Sequence, residues 1–447
     1  MNNNIKEKLQ SIGINKGFLW IIINRFFSII KGPFSAIIQI TFLTPAQQGI
    51  WYTFSSLGAL SVFAEMGFTQ IVTQFVSQEY AFLKFENGEI KGSEVQLDKF
   101  HSLIRYSIKF FLIIVPLAII LLSLIGFYFF KEENVSVIFA WLIYSVSGGF
   151  ALVVSLFQSI YQGIDKVPEI QKNIFKNLLV TTIINWGLLA CRAGVFALAL
   201  SGIIGSITTV FLLYRVSPNF WKNHFKYKCK NNYKWGKEIL PLQWKYAIGF
   251  ISSYFIYQLY VPAAYRVDGN ILSGQLGMSM MLVSCVRTFS DAFIGGSLPR
   301  LNMLAAEKKE KQLLSSFSKL FWGATFVSFI GYLSIIVGLI IIKPTRFSSR
   351  FLYIPETIPL LAFNLAINII GVLGNYTLFH KDGSLYPLTL IAGVVGAITM
   401  FVVYPFTKSI IHTFYILAIF YWVILIPANV VAFYYKKNKY FSLLKEV

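Results

Sequence analysis

Acidic side chains are scarce in this chain: 19 Asp and Glu stand against 39 Lys and Arg in 447 residues, and all charged residues together make up only 13%. Ordinary soluble domains carry about 25%, so a sizeable extramembrane catalytic domain is not expected. Cysteine and histidine are equally thin. Cys191, Cys229 and Cys285 form neither a CxxC pair nor a disulfide framework. His101, His224, His380 and His412 lack metal-ligand spacing, so no metal and no cofactor is expected, and these residues are assigned solvated or structural roles. The sequence also has no GxxxxGK[ST] phosphate loop and no GxSxG nucleophile motif. Neither ATP hydrolysis nor any other enzymatic activity is therefore expected of this chain.

Apolar residues fill the space left by the missing charge. The chain is 56% hydrophobic and 17% aromatic, with a mean hydropathy of +0.64, which places it among polytopic membrane proteins. Apolar runs long enough to cross a bilayer, about 18 residues or more, recur along nearly the whole length. They predict an all-α protein with about twelve spans, at 17–43, 48–78, 103–130, 135–162, 173–191, 194–214, 241–265, 270–299, 319–342, 355–380, 385–406 and 410–435. The polar start, Met1 to Lys16, and the length of the first apolar run do not fit a removable signal peptide, so the first span is expected to stay.

A net charge of +20 raises the question of nucleic acid, but the location of the charge answers it. With the amino terminus inside, only seven Lys and Arg fall on the outer face: Lys131, Arg192, Arg266, Lys343, Arg346, Arg350 and Lys408. The rest outside the spans gather in the alternate loops, which by the positive-inside rule puts both termini in the cytoplasm. No nucleic-acid partner is expected. Richness in Lys, Asn and Ile suggests a bacterial source, and hence the inner membrane.

The longest basic loop, Ser217 to Glu238, contains WKNHFKYKCKNNYKWGKE and divides the spans into two groups of six. It reads as a cytoplasmic linker at 217–238 between an N-terminal lobe, 1–216, and a C-terminal lobe, 239–447. An even number of spans returns the chain to the cytoplasm, so the lobes insert in the same orientation, one of the transporter repeat arrangements. The segment from Glu79 to His101 is expected to form an interfacial helix.

Apart from those within about three residues of a span end, seven charged residues fall inside the expected spans, and five are cations. Arg25, Lys31, Lys109, Lys245 and Arg287 oppose only Glu65 and Asp291. Each cation at a helix centre opposes insertion by roughly 2.5–3.5 kcal/mol, so such residues normally face a pocket or pathway. Arg25 and Lys31 in the first lobe and Arg287 in the second are the core candidates for holding an anionic group, with Lys245 at the cavity entrance. Lys109 lies near the start of its span, within reach of headgroups. Asp291, one helical turn beyond Arg287, and Glu65 are the candidates for coupling or gating, with a proton or sodium ion as the coupling species.

The segment TPAQQGIWYTFSSLGALSVFAEMGFTQIVTQFVSQE, with NILSGQLGMSMML as its counterpart in the second lobe, resembles the polysaccharide export proteins of the multidrug/oligosaccharidyl-lipid/polysaccharide (MOP) exporter superfamily. Members often have Pro-Glu before the first outer-turn glycine, where this chain has Ala46-Gln47-Gln48-Gly49. The resemblance implies a MATE-like fold of two six-helix lobes around a central cationic cavity. It further implies an O-antigen or capsular repeat-unit flippase that moves an undecaprenyl-pyrophosphate-linked oligosaccharide to the periplasmic leaflet. Membrane lipids and the polysaccharide polymerase machinery are the implied partners. Two alternatives remain: a drug or metabolite antiporter of the same superfamily, which would favour buried carboxylates, and a membrane polysaccharide polymerase or ligase, which would need a larger outer loop.

Overall fold

The computed structural model describes residues 16–86, 89–231, 233–295, 297–380 and 386–443. The architecture is all-α and polytopic, with one small exception. Among the described residues nine helices are long and apolar enough to cross a membrane, or ten if the bent pair Pro45–Glu65 and Phe68–Tyr80 is one span. The Val167–Ala190 helix is fully formed but is not among these. Length and hydropathy also join Trp235–Asp291 into one stretch, although the chain is interrupted between the helices Trp235–Tyr257 and Tyr260–Gly295 and again at Gly269, whose backbone is non-helical.

The exception lies between Glu79 and His101. An interfacial helix was expected there, but the chain forms a two-stranded antiparallel hairpin, Lys84–Glu86 with Glu89–Lys91, pairing Phe85 with Ile90. Asn87-Gly88, a strong hairpin signal in sequence, falls between the strands and outside the described residues. The helix Glu94–Phe130 begins immediately afterwards.

By packing, the chain divides into two compact units. The first holds the chain up to Phe27 together with Phe54–Ile251; the second holds Ser28–Thr53 and Ser252–Val447. This is a division of contacts, whereas the six-plus-six expectation concerns the order of spans. The first helix, Lys16–Phe42, contributes to both.

In the first unit, one face of Phe68–Tyr80 buries Phe68, Ile71, Val72 and Val76 against Phe100, Leu103, Ile104 and Phe111 of the Glu94–Phe130 helix and Leu156 and Ile160 of Val135–Gly163. The three- and four-residue spacing on each helix sets these residues in one stripe. Phe68 stacks on Phe110 at 4.1 Å. Gly126 gives way to the Trp141 indole, whose Nε1 donates to the Leu122 carbonyl at 2.8 Å; a Cβ at Gly126 would lie 1.8 Å from that nitrogen. Asn185 donates to Ser201 Oγ at 3.2 Å, an interhelical use of a membrane asparagine.

The basic segment after Val216 is folded rather than extended. Pro218–Lys226 is a helix that buries Phe220, Trp221 and His224 in the same core. Beyond it, the buried Asp98 carboxylate accepts the backbone N–H groups of Lys230 at 2.8 Å and Asn231 at 2.9 Å, and Arg105 donates to the Tyr227 carbonyl. His224 and His101 share a hydrogen bond between their Nδ1 atoms at 2.8 Å. Burial, helped by His101 and Arg105, pushes His224 down to about 3, so the imidazole is docked in its neutral form.

In the second unit, the Asn368 side chain donates to Ser290 Oγ at 3.0 Å and to Ser328 Oγ. Three membrane helices are thereby tied together at one buried point. A second tie joins Glu310, His380 and Tyr376: His380 Nε2 lies 2.6 Å from one carboxylate oxygen of Glu310, and the Tyr376 hydroxyl donates to the other at 3.2 Å. Tyr440 stacks on His380 at 3.7 Å.

Candidate functional site

Glu65 sits where a membrane helix breaks. It ends the short helix Ser61–Glu65, and the next two residues, Met66 and Gly67, both have positive φ, 46° and 74°. Phe68–Tyr80 then continues, bent by 44° from the preceding helical pair. Gly67 is required twice over, because its φ disfavours a side chain and a Cβ would come within 2.7 Å of Tyr246 and 2.8 Å of Phe250. The break frees backbone carbonyls, and Gln243 donates to the Glu65 carbonyl at 3.1 Å. The Glu65 carboxylate is itself buried and accepts from Thr69 at 3.1 Å and Ser155 at 3.2 Å. A carboxylate held by hydroxyls at a helix break joins a titratable group to a backbone hinge.

Arg287 is held differently. It lies in the part of the helix Tyr260–Gly295 that follows the non-helical Gly269, half-buried, with its guanidinium 4.2 Å from the centre of the Tyr257 ring. A cation over an aromatic face is worth about 0.5–2 kcal/mol, and Tyr257 also shares a hydrogen bond with it. A guanidinium carries five N–H donors, more than one hydroxyl can accept. Asp291, one turn further on, is exposed.

The remaining candidates lie on the early helices. Arg25 is exposed and Lys31 half-buried, six positions and about 9 Å apart along the helix. Arg25 falls in the first unit and Lys31 in the second. Beside Arg25, the Asn24 side chain donates to both the backbone carbonyl and the side-chain oxygen of Gln171, each at 3.0 Å. Trp20 and Phe27 pack on Phe175 of the same neighbouring helix at 5.6 Å. Lys245 lies on the Trp235–Tyr257 helix; its side chain is outside the described residues.

At the far end of the first helix, the structure joins the two segments that carried the resemblance. Gln48 donates to the Gly274 carbonyl at 2.8 Å and to the Arg350 carbonyl at 2.9 Å. Gly49 lies against the Asn270 backbone so closely that a Cβ would sit 1.7 Å from its oxygen. The Arg350 guanidinium donates to the carbonyls of Leu43 at 2.7 Å and Ile40 at 3.2 Å. Tyr52 donates to Gln39 at 2.8 Å. Sequence reasoning counted Arg350 only as a topology charge; capping the open carbonyls at the end of a helix is its structural use. Nor did any sequence signal point to Tyr257, thirty positions from Arg287. Among the described residues, no group of three or more His, Cys, Asp or Glu side chains could hold a metal ion.

These features define a multi-pass membrane protein with a MATE-like transporter fold. The sequence matches no protein-family model and no curated protein. Among solved structures it is similar to a multidrug resistance MATE family transporter of the MOP superfamily in an inward-facing conformation, with a TM-score of 0.66 at 12% identity, covering 94% of this chain and 96% of that one. It is similar also to the lipid II flippase MurJ in an inward closed conformation, with a TM-score of 0.59 at 15% identity over 93% of this chain and 87% of that one. A third is a MOP superfamily transporter from Pyrococcus furiosus, described as having a binding pocket of reverse polarity. It has a TM-score of 0.52 at 10% identity over 93% of this chain and 94% of that one.

Proposed function

We propose that this protein is a MOP-superfamily flippase. It moves an undecaprenyl-pyrophosphate-linked oligosaccharide, an O-antigen or capsule repeat unit, from the cytoplasmic to the periplasmic leaflet by alternating access. The observation that carries the reading is Arg287, a cation kept within a membrane helix by an aromatic face, whose guanidinium carries five N–H donors. A diphosphate is the group such a fork binds well. The fold shared with a lipid II flippase supports a lipid-linked passenger, and the excess of cations over carboxylates favours an anionic headgroup over the cations that drug antiporters export.

Arg25 and Lys245 in the first unit, and Lys31 with Arg287 in the second, are each proposed as headgroup-binding cations. Glu65 supplies coupling: protonation would remove the charge at the Met66–Gly67 break and let the helix reorient. Asp291 is the second coupling group. Two negative charges moving outward across an inside-negative potential of 100 mV gain about 4.6 kcal/mol, at roughly 2.3 per charge, so the membrane potential assists export. Single Ala replacements at Arg25, Lys31 and Arg287 test the reading in cells. Loss of surface polysaccharide at normal protein levels is the expected result, and normal polysaccharide in all three well-expressed variants would overturn it.

A further inference from the structure

The second unit carries a groove, lined by none of the candidate cations, of about 790 Å³, within the range of roughly 300–1,000 Å³ typical of ligand sites. One wall is the Glu310–Ile342 helix, with Phe321 and Trp322. The others come from Leu365 on the Ile354–Phe379 helix and from Trp422 and Val430 near the carboxyl end. The first wall runs from Leu314 to Phe329, about 22 Å by helical rise and more than half of a hydrocarbon core about 30 Å thick. The groove is therefore long, apolar and deep enough for one leaflet.

One end differs from the rest. Lys437 is the only charged residue among those lining the groove, and its ammonium lies 5.5 Å from the centre of the Tyr434 ring. Lys436 and Lys439 adjoin it in sequence. Scattered apolar residues on a membrane protein need no explanation, but a leaflet-deep concavity with a cation at one mouth has the shape and charge of a particular ligand. We propose that this groove binds an anionic phospholipid, with an acyl chain between the aromatic walls and the phosphate at Lys437. The site shares no residue with the proposed headgroup cations, so its occupant is a resident lipid and not the passenger.

Trp322 and Trp422 report on the groove directly. The full-length protein is reconstituted in vesicles of phosphatidylglycerol and phosphatidylcholine at equal mole fractions, with one or the other brominated on its acyl chains. The fluorescence of the two tryptophans is isolated by subtracting that of the W322F/W422F variant. Brominated phosphatidylglycerol is expected to quench this component with roughly fivefold preference over phosphatidylcholine, and Lys437→Gln is expected to remove the preference. Equal quenching by the two lipids in the unmodified protein, which depends on no variant folding, would overturn the proposal. So would a preference that survives Lys437→Gln. Relief of quenching by a polyprenyl phosphate at far lower mole fraction would assign the groove to the passenger's tail instead.

Discussion

Glu65 and Arg287 are both charges inside membrane helices, yet their surroundings are built on opposite plans. Glu65 lies at a break, with two successive positive-φ residues after it and hydroxyls from Thr69 and Ser155 on its carboxylate. Arg287 lies in a regular helical stretch well past the kink at Gly269, braced by a tyrosine ring. The first arrangement lets a change of charge become a change of backbone direction. The second holds a cation in place while something else binds to it. The comparison separates a moving part from a fixed one, and each can be disturbed without touching the other.

The largest effect is expected at the break. Gly67→Val meets both an unfavourable φ and the Tyr246 and Phe250 side chains; backbone strain alone costs about 1–3 kcal/mol, and transport should fall well over tenfold with a lowered melting temperature. Met66→Gly relaxes the neighbouring strained residue and should keep transport. Equal loss in both variants would show that the break is not a hinge. Next is Arg287→Ala, which removes charge-assisted hydrogen bonds worth about 1.5–3 kcal/mol each and should cut transport roughly tenfold or more, with Lys at the same position restoring only part. Tyr257→Leu, which keeps the cation but removes its brace at about 0.5–2 kcal/mol, should be milder.

A smaller change is expected from Glu65→Gln, which retains the partners of the side chain but cannot titrate. Its transport in proteoliposomes should lose dependence on an imposed proton gradient while protein levels hold, and unchanged gradient dependence would remove Glu65 from coupling. Smallest of all is the docking of the basic segment. His224 is neutral when docked and refuses a proton until about pH 3, whereas a released imidazole takes one near its ordinary value of about 6.5. Docking should therefore weaken as pH falls from 6.5 toward 3, read as faster proteolysis between residues 217 and 231. Asp98→Asn should loosen the same segment by about 1 kcal/mol at neutral pH, and a segment equally protected at pH 7 and pH 4 would contradict this account of the histidine pair.

The helical membrane architecture was legible because apolar length is a one-dimensional property, and the candidate charges were legible because hydrophobic context makes them conspicuous. The hairpin at Lys84–Lys91 was hidden in a mixed-charge segment whose composition resembles an amphipathic helix. The brace on Arg287 was hidden for another reason: Tyr257 becomes its neighbour only once the helical run is broken at Gly269, which lies between them. Hydropathy is blind to φ, so Met66-Gly67 passed as part of a span. Arg350 and Gln48 looked like ordinary loop residues until the helix ends they serve were in place. The aromatic residues of the basic segment, Phe220 and Trp221, carried a signal of burial that its lysines outweighed.

The central claim is that cations within the membrane helices bind a diphosphate headgroup. The direct test is translocation of a purified polyprenyl-diphosphate-linked oligosaccharide in proteoliposomes by the unmodified protein and by Arg287→Ala, with a neutral lipid-linked sugar as the competing passenger. The account predicts that the unmodified protein prefers the diphosphate and that Arg287→Ala loses roughly tenfold of that transport without gaining on the neutral lipid. Equal transport of the two passengers by the unmodified protein, or full activity of the variant, would contradict it.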